Sequence, residues 1–128
     1  MPVLLQIAVG GAIGAALRHL LSTQVARLLG LGFPWGTLVV NALGCFAMGL
    51  VVMTALRRPD LGLGHLAPFL TTGILGGFTT FSAFSLEVFL LAERGRIDLA
   101  AAYVVASLAG GLGGFLLAVV ATRPPVVG

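Results

Sequence analysis

Charge is what this 128-residue chain has least of: Asp, Glu, Lys and Arg make up 9% of it, against roughly 25% in a soluble domain. Hydrophobic residues reach 59%, more apolar surface than a chain of this length can hide from water, so the class is integral membrane protein. The net charge of +3 comes from arginines scattered at the ends of apolar runs. With no basic stripe, nucleic-acid binding is excluded. Cys45 is the sole cysteine, so no disulfide closes within the chain, and it reads as a small buried apolar residue. His19 and His65 are isolated, and no His, Cys or carboxylate cluster has metal-ligand spacing. Ser82 and Ser85 have no His–Asp partner nearby, so no enzyme constellation is present. Gly10-Gly11-Ala12-Ile13-Gly14 lies within an apolar run with no strand before it, which removes a phosphate loop. No Lys or Arg precedes the first apolar run, so that run is expected to be a retained span and not a cleaved leader.

What is there is a set of apolar runs of about 20 residues, the length that crosses a bilayer. Four emerge: about 3–29, 34–56, 66–91 and 98–122. Gly30-Leu31-Gly32 turns the chain after the first, and Arg57-Arg58-Pro59-Asp60 closes the second. Glu93-Arg94-Gly95-Arg96 ends the third; Asp98 is expected to cap the fourth, which Arg123-Pro124-Pro125 stops. The short connections leave no room for a soluble domain and predict one four-helix unit, with a disordered tail from Arg123 to Gly128. Gly10 with Gly14 and Gly110 with Gly114 let helix backbones approach closely, within one chain or between subunits. Arg57, Arg58 and Arg123 fall on one side and Arg27, Arg94 and Arg96 on the other. That balance gives the positive-inside rule nothing to act on, and a chain inserted both ways can pair with its own inverted copy.

The third run is the unusual one. Gly76 and Gly77, followed by β-branched Thr79 and Thr80, are weak helix formers, together about 2 kcal/mol against helix. The composition predicts a helix that stops near Gly76 and restarts near Phe81. A broken helix at membrane depth survives only where protein buries it or it lines a wet cavity, and such breaks commonly bind ions. At 3.6 residues per turn, Thr80, Phe84 and Glu87 share a face of the restarted helix, with Phe81 and Ser85 beside them.

Polar residues within the other spans are costly in lipid and therefore candidates for function. Arg18 either snorkels to the interface or draws anions to a vestibule. Asn41, whose amide both donates and accepts, serves as interhelical glue or as a donor to an ion. Tyr103, Ser107 and Gly111 recur every four residues, which puts two hydroxyls on one face of the fourth span. These groups supply donors without fixed charge, and phenyl rims are electropositive, which suits an anion. A cation prefers the ring face, and carbonyls freed at a helix break suit a hard cation. An ion-conducting protein follows, with an anion the better fit.

Three segments carry a family likeness: Gly10-Gly11-Ala12-Ile13-Gly14-Ala15-Ala16-Leu17-Arg18, Pro34-Trp35-Gly36-Thr37-Leu38-Val39-Val40-Asn41-Ala42-Leu43-Gly44, and Gly76-Gly77-Phe78-Thr79-Thr80-Phe81-Ser82-Ala83-Phe84-Ser85-Leu86-Glu87. In this order and spacing, and over essentially the whole chain, the sequence resembles the Fluc (CrcB-type) fluoride ion channels. The resemblance implies an all-α protein of the cell's inner membrane, with four transmembrane helices, the third broken, in an antiparallel dual-topology homodimer with two fluoride pores. It implies passive export of cytoplasmic fluoride, which enters as neutral HF and ionises inside, and hence fluoride resistance. It also implies a structural sodium ion at the dimer interface, held by the backbone carbonyls of Gly76 and Thr79 from each subunit. Phe81 and Phe84 match the pore rings, Asn41 a donor to the ion, and Tyr103 and Ser107 part of a hydroxyl track. Thr37 and Glu87 match polar residues near the pore and Arg18 a vestibule arginine, with Thr80 and Ser82 as further supporting polar groups. Ala83 stands where the family usually has Thr, and Gly111 where some members carry another hydroxyl. Fluoride binds its water more tightly than chloride, so such a pore must return several hydrogen bonds while staying narrow.

The alternative reading is a small four-helix proton-coupled multidrug exporter, which needs a membrane-embedded carboxylate. Here the first span carries Arg18, and Glu87 is the sole carboxylate near a core. An accessory subunit without transport would not need the donor cluster.

Overall fold

Helices that are apolar all round have no wet face to offer and are built for burial in lipid. The computed structural model, which describes residues 1–124, has four such spans. Helix α1 (Val3–Leu29) ends where Gly30 turns to φ +89°. Helix α2 (Trp35–Arg57) starts behind Pro34, a residue suited to a helix start because it has no N–H to lose. Two single turns, Pro59–Leu61 and Leu63–His65, lead into the third span. That span has two helical parts: α3, made of the wide-turned segment Pro68–Leu75 and the single turn Gly76–Phe78, and α4 (Phe81–Glu93). Helix α5 (Ile97–Ala121) completes the fold. Of the tail expected to be disordered, residues 125–128 lie outside the described residues. Asp98 is not the cap of α5: the helix begins one residue earlier, and the Asp98 carboxylate takes both Arg96 Nε (3.1 Å) and Nη2 (3.0 Å).

Helix α1 packs along α3, α2 along α5, and α4 along α5. Gly10 and Gly14 serve packing within the chain. A Cβ on Gly10 would sit 2.5 Å from the Phe69 carbonyl oxygen, and one on Gly14 would overlap the Ile74 carbonyl. Gly114 likewise meets the Ala42 carbonyl of α2, at 3.1 Å from an added Cβ.

Gly76 and Gly77 are not where the helix stops. Gly76 keeps helical dihedrals (φ −65°, ψ −38°), and the extended residues are Thr79 (φ −85°, ψ 155°) and Thr80 (φ −149°, ψ 123°). Close contact offsets the helical cost of Gly77, whose added Cβ would lie 2.6 Å from the Gly11 carbonyl oxygen of α1. The β-branched threonines, which lose rotamer freedom in a helix, take the extended positions.

Few apolar residues are inside. Val40, Leu75, Leu91, Ala100, Tyr103 and Ala118 are the buried hydrophobics among the described residues. Leu91, Ala100 and Tyr103 form a cluster, with Phe33, Phe84 and Val88 packed against it.

Candidate functional site

The two extended threonines need partners for backbone groups that lipid cannot satisfy. Asn41, on the facing side of α2, clasps Thr80 with both ends of its amide. Its Nδ2 donates to the Thr80 carbonyl (3.0 Å), and the Thr80 N–H donates to its Oδ1 (2.8 Å). Thr80 then caps α4: its Oγ1 accepts from the Ala83 N–H at 3.2 Å and shares a hydrogen bond with Ser82 Oγ at 3.3 Å. Thr79 Oγ1 bonds back to the Leu75 carbonyl (2.9 Å), and Ser85 Oγ to that of Phe81 (3.0 Å). Both are local bonds that hide a hydroxyl within its own helix.

These bonds have a consequence for two carbonyls. In a continuous helix the Thr80 N–H would donate to Gly76, and the Ala83 N–H to Thr79. Here those donors go to Asn41 and to the Thr80 hydroxyl, so the Gly76 and Thr79 carbonyls lose their helical partners. Gly76 lies exposed on the protomer surface. Peptide oxygens of this kind are hard ligands that suit a hard cation.

About two turns beyond the Thr80 cap of α4 lies the carboxylate. Glu87 Oε1 accepts from Thr37 Oγ1 at 2.6 Å, and Oε2 from the Tyr103 hydroxyl at 2.9 Å. Thr37 comes from α2 and Tyr103 from α5, so the carboxylate ties three elements together. Tyr103 is fully buried. Its hydroxyl therefore lies in the core, on the Glu87 carboxylate.

Rings run alongside. Phe81 and Phe84 stand 5.4 Å apart between centroids, Phe84 and Tyr103 5.2 Å, and Phe33 meets Tyr103 edge-on at 5.4 Å and 80°. Phe84 is half-buried, whereas Phe81 is 76% exposed on the protomer surface.

Two cavities flank this row. A groove of about 350 Å³ is lined by Asn41, Thr79, Thr80, Phe81, Phe84 and Ser107, with Cys45, Gly111 and Phe115 beside them. The Ser107 Oγ is buried there, with no hydrogen-bond partner among the described residues. A mouth of about 450 Å³ opens at the end of the bundle where α1 and α4 finish and α2 begins; Ser22, Thr23, Trp35, Thr37, Glu87 and Arg94 line it, with Phe33. Thr37 and Glu87 thus face the mouth, while Asn41, Thr80 and both phenylalanines face the groove. Arg18 lines neither cavity and makes no hydrogen bond or ion pair among the described residues.

Sequence reasoning missed Phe33, Cys45, Arg94 and Phe115. Phe115 was within reach, since it continues the four-residue spacing of Ser107 and Gly111. Phe33 and Arg94 lie outside the expected spans, where polar and aromatic residues carry no cost that would single them out. Groups that donate without charge, a phenyl pair and an unpartnered hydroxyl can strip and replace the water of a small anion.

Residues 5–121 match the family model described as CrcB-like protein, Camphor Resistance (CrcB). A Chelativorans sp. (strain BNC1) protein named "Fluoride-specific ion channel FluC" is 52% identical over 109 residues, covering 85% of this chain and 86% of the relative. Proteins of the same name from Cereibacter sphaeroides (strain ATCC 17029 / ATH 2.4.9) and Roseobacter denitrificans are similar at 48% over 120 residues and 54% over 110 residues. The first covers 94% of both chains, the second 84% of this chain and 85% of the relative.

Proposed function

Since the chain belongs to the CrcB family, we propose that it is a fluoride-selective channel giving passive export of cytoplasmic fluoride. It is a multi-pass inner-membrane protein and not an enzyme. The observation that carries the reading is the groove, where an unpartnered buried Ser107 hydroxyl, the Asn41 amide and the Phe81–Phe84 pair converge beside the Thr79–Thr80 interruption with no formal charge.

The pathway runs from the mouth, past Thr37, Glu87 and Tyr103, between the phenylalanine rims, to Asn41 and Ser107. Two copies of the chain, inserted in opposite directions, assemble as a homodimer. The exposed Phe81 and Gly76 and the even split of arginines support this arrangement. The Gly76 and Thr79 carbonyls of both subunits hold a structural sodium ion, whose charge supplies electrostatic attraction for an anion nearby. The residues fit that ion because their oxygens have lost their helical donors and a sodium ion is a hard cation.

The test is fluoride efflux from liposomes holding the purified chain, with chloride and a quaternary ammonium dye as comparisons. Fluoride flux without a proton requirement is the expected result. Equal chloride flux removes selectivity, and proton-coupled loss of the dye replaces the channel with an exporter. Glu87, the one carboxylate near the core, is already bonded to Thr37 and Tyr103, which disfavours the exporter.

A further inference from the structure

The mouth has a carboxylate at its floor and a single cation at its rim. Glu87 and Arg94 both line it; Glu87 is on α4, and Arg94, seven residues on, caps its C-terminal end, its N–H still donating to the Leu90 carbonyl (3.1 Å). Seven residues are close to two turns, so the two share a face, with Arg94 about 10 Å further out. The rim is firmly built. Gly95 takes φ +77°, its N–H donates to the Ala92 carbonyl (3.0 Å), and the Arg96 N–H donates to that of Leu91 (2.9 Å). This paired closure, available to glycine in the left-handed region, fixes the backbone at Arg94. The other arginine of the turn, Arg96, is engaged by Asp98. Arg94 has no carboxylate partner among the described residues. Glu93, its neighbour in the chain, does not line the mouth. Arg18, the arginine expected at the vestibule, does not line it either.

We propose that Arg94 is the charge that collects the anion at this mouth, offsetting the field of Glu87 so that fluoride reaches the Thr37–Glu87 floor. This rests on the channel reading above. A cation on a low-dielectric rim raises the local anion concentration and the rate of access, and its reach is cut by salt. Removing one charge about 5–10 Å from the path changes anion occupancy by roughly two- to five-fold at low ionic strength. Reversing it squares that factor.

The experiment measures fluoride efflux from liposomes carrying the full chain as wild type, Arg94→Lys, Arg94→Gln and Arg94→Glu. Fluoride is held constant, and a large impermeant salt sets the ionic strength at about 10 mM or about 300 mM, where the screening length falls from ~30 Å to under ~8 Å. Arg94→Lys is expected to match wild type. Arg94→Gln is expected to lose about two- to five-fold at low salt and Arg94→Glu more, with both gaps closing at high salt. Variants equal to wild type at low salt overturn the proposal. So does a loss that is the same at both salts or that Arg94→Lys shares, because a purely structural role behaves that way. A wild-type chain that passes no fluoride at either salt overturns the channel reading and this inference with it.

Discussion

Exchanging Asn41 for Asp replaces one heavy atom, the amide nitrogen by an oxygen, and separates the two things that its amide does. The asparagine makes a matched pair of hydrogen bonds to Thr80, at 3.0 and 2.8 Å. Thr80 is 9% exposed, so water does not replace a lost partner. Aspartate keeps the acceptor for the Thr80 N–H but turns an oxygen towards the Thr80 carbonyl, and the unmade bond costs about 1–3 kcal/mol. The new charge acts on the anion as well. At about 5 Å and an effective dielectric near 20, like charges repel by about 3 kcal/mol, enough to lower fluoride occupancy of the groove more than a hundredfold. Alanine at the same position strands both Thr80 groups, for about 2–6 kcal/mol, without adding charge. Thermal unfolding in detergent should therefore rank wild type above Asn41→Asp and Asn41→Ala lowest. Fluoride efflux at a temperature where both variants are folded should be suppressed most in Asn41→Asp. An Asn41→Asp protein that conducts like wild type would show that Asn41 is glue between α2 and α4 and stands off the path.

Phe81→Ile or Phe84→Ile should lower fluoride flux while leaving the oligomer intact by size-exclusion chromatography, because a branched aliphatic chain offers no electropositive rim; unchanged flux in both removes the rings from the pathway. Gly14→Ala should destabilise the protein by about 1–3 kcal/mol, since the added methyl overlaps the Ile74 carbonyl and backbone must move. Gly11→Ala, one residue from the matching position, meets open space and should be close to neutral in the same unfolding assay. If the proposed dimer holds sodium, replacing that ion by a large organic cation during purification should weaken the dimer and silence flux, and full activity without sodium would remove the ion from the Gly76 and Thr79 carbonyls.

The spans were legible in the sequence because lipid imposes one rule along the whole chain. Twenty apolar residues read the same wherever they occur, and the observed helices end within two residues of the expected limits. The break expected near Gly76 falls where two extended residues, Thr79 and Thr80, stand instead. Paired glycines looked like the weak point, yet Gly77 is used for contact with Gly11 on α1, a relation of distant residues that helix propensity does not encode. Asn41 and Glu87 stood out as polar groups in apolar runs. Their partners did not, because Asn41 meets Thr80 across 39 residues of chain and Thr37 meets Glu87 across 50. Local periodicity put Tyr103 and Ser107 on one face, but a helix face carries no label for what covers it. Tyr103 is sealed under Phe33 and Phe84, and Ser107 opens on the groove.

An exposed ring alone means little on a membrane protein, where apolar side chains normally face lipid. The surroundings of Phe81 are different. It is 76% exposed and follows directly on two extended residues, with an exposed Gly76 whose carbonyl has lost its helical donor. Acyl chains cannot satisfy peptide oxygens, and leaving one bare costs several kcal/mol. The leucines around the bundle can face hydrocarbon freely, but this patch cannot, so something polar must meet it. In the dimer proposed above, a second copy of the chain would bring the same carbonyls from the opposite side about a cation and so meet that demand. The same pairing would turn the surface ring Phe81 into a wall of the groove that it lines with Phe84, Asn41 and Ser107 in one protomer.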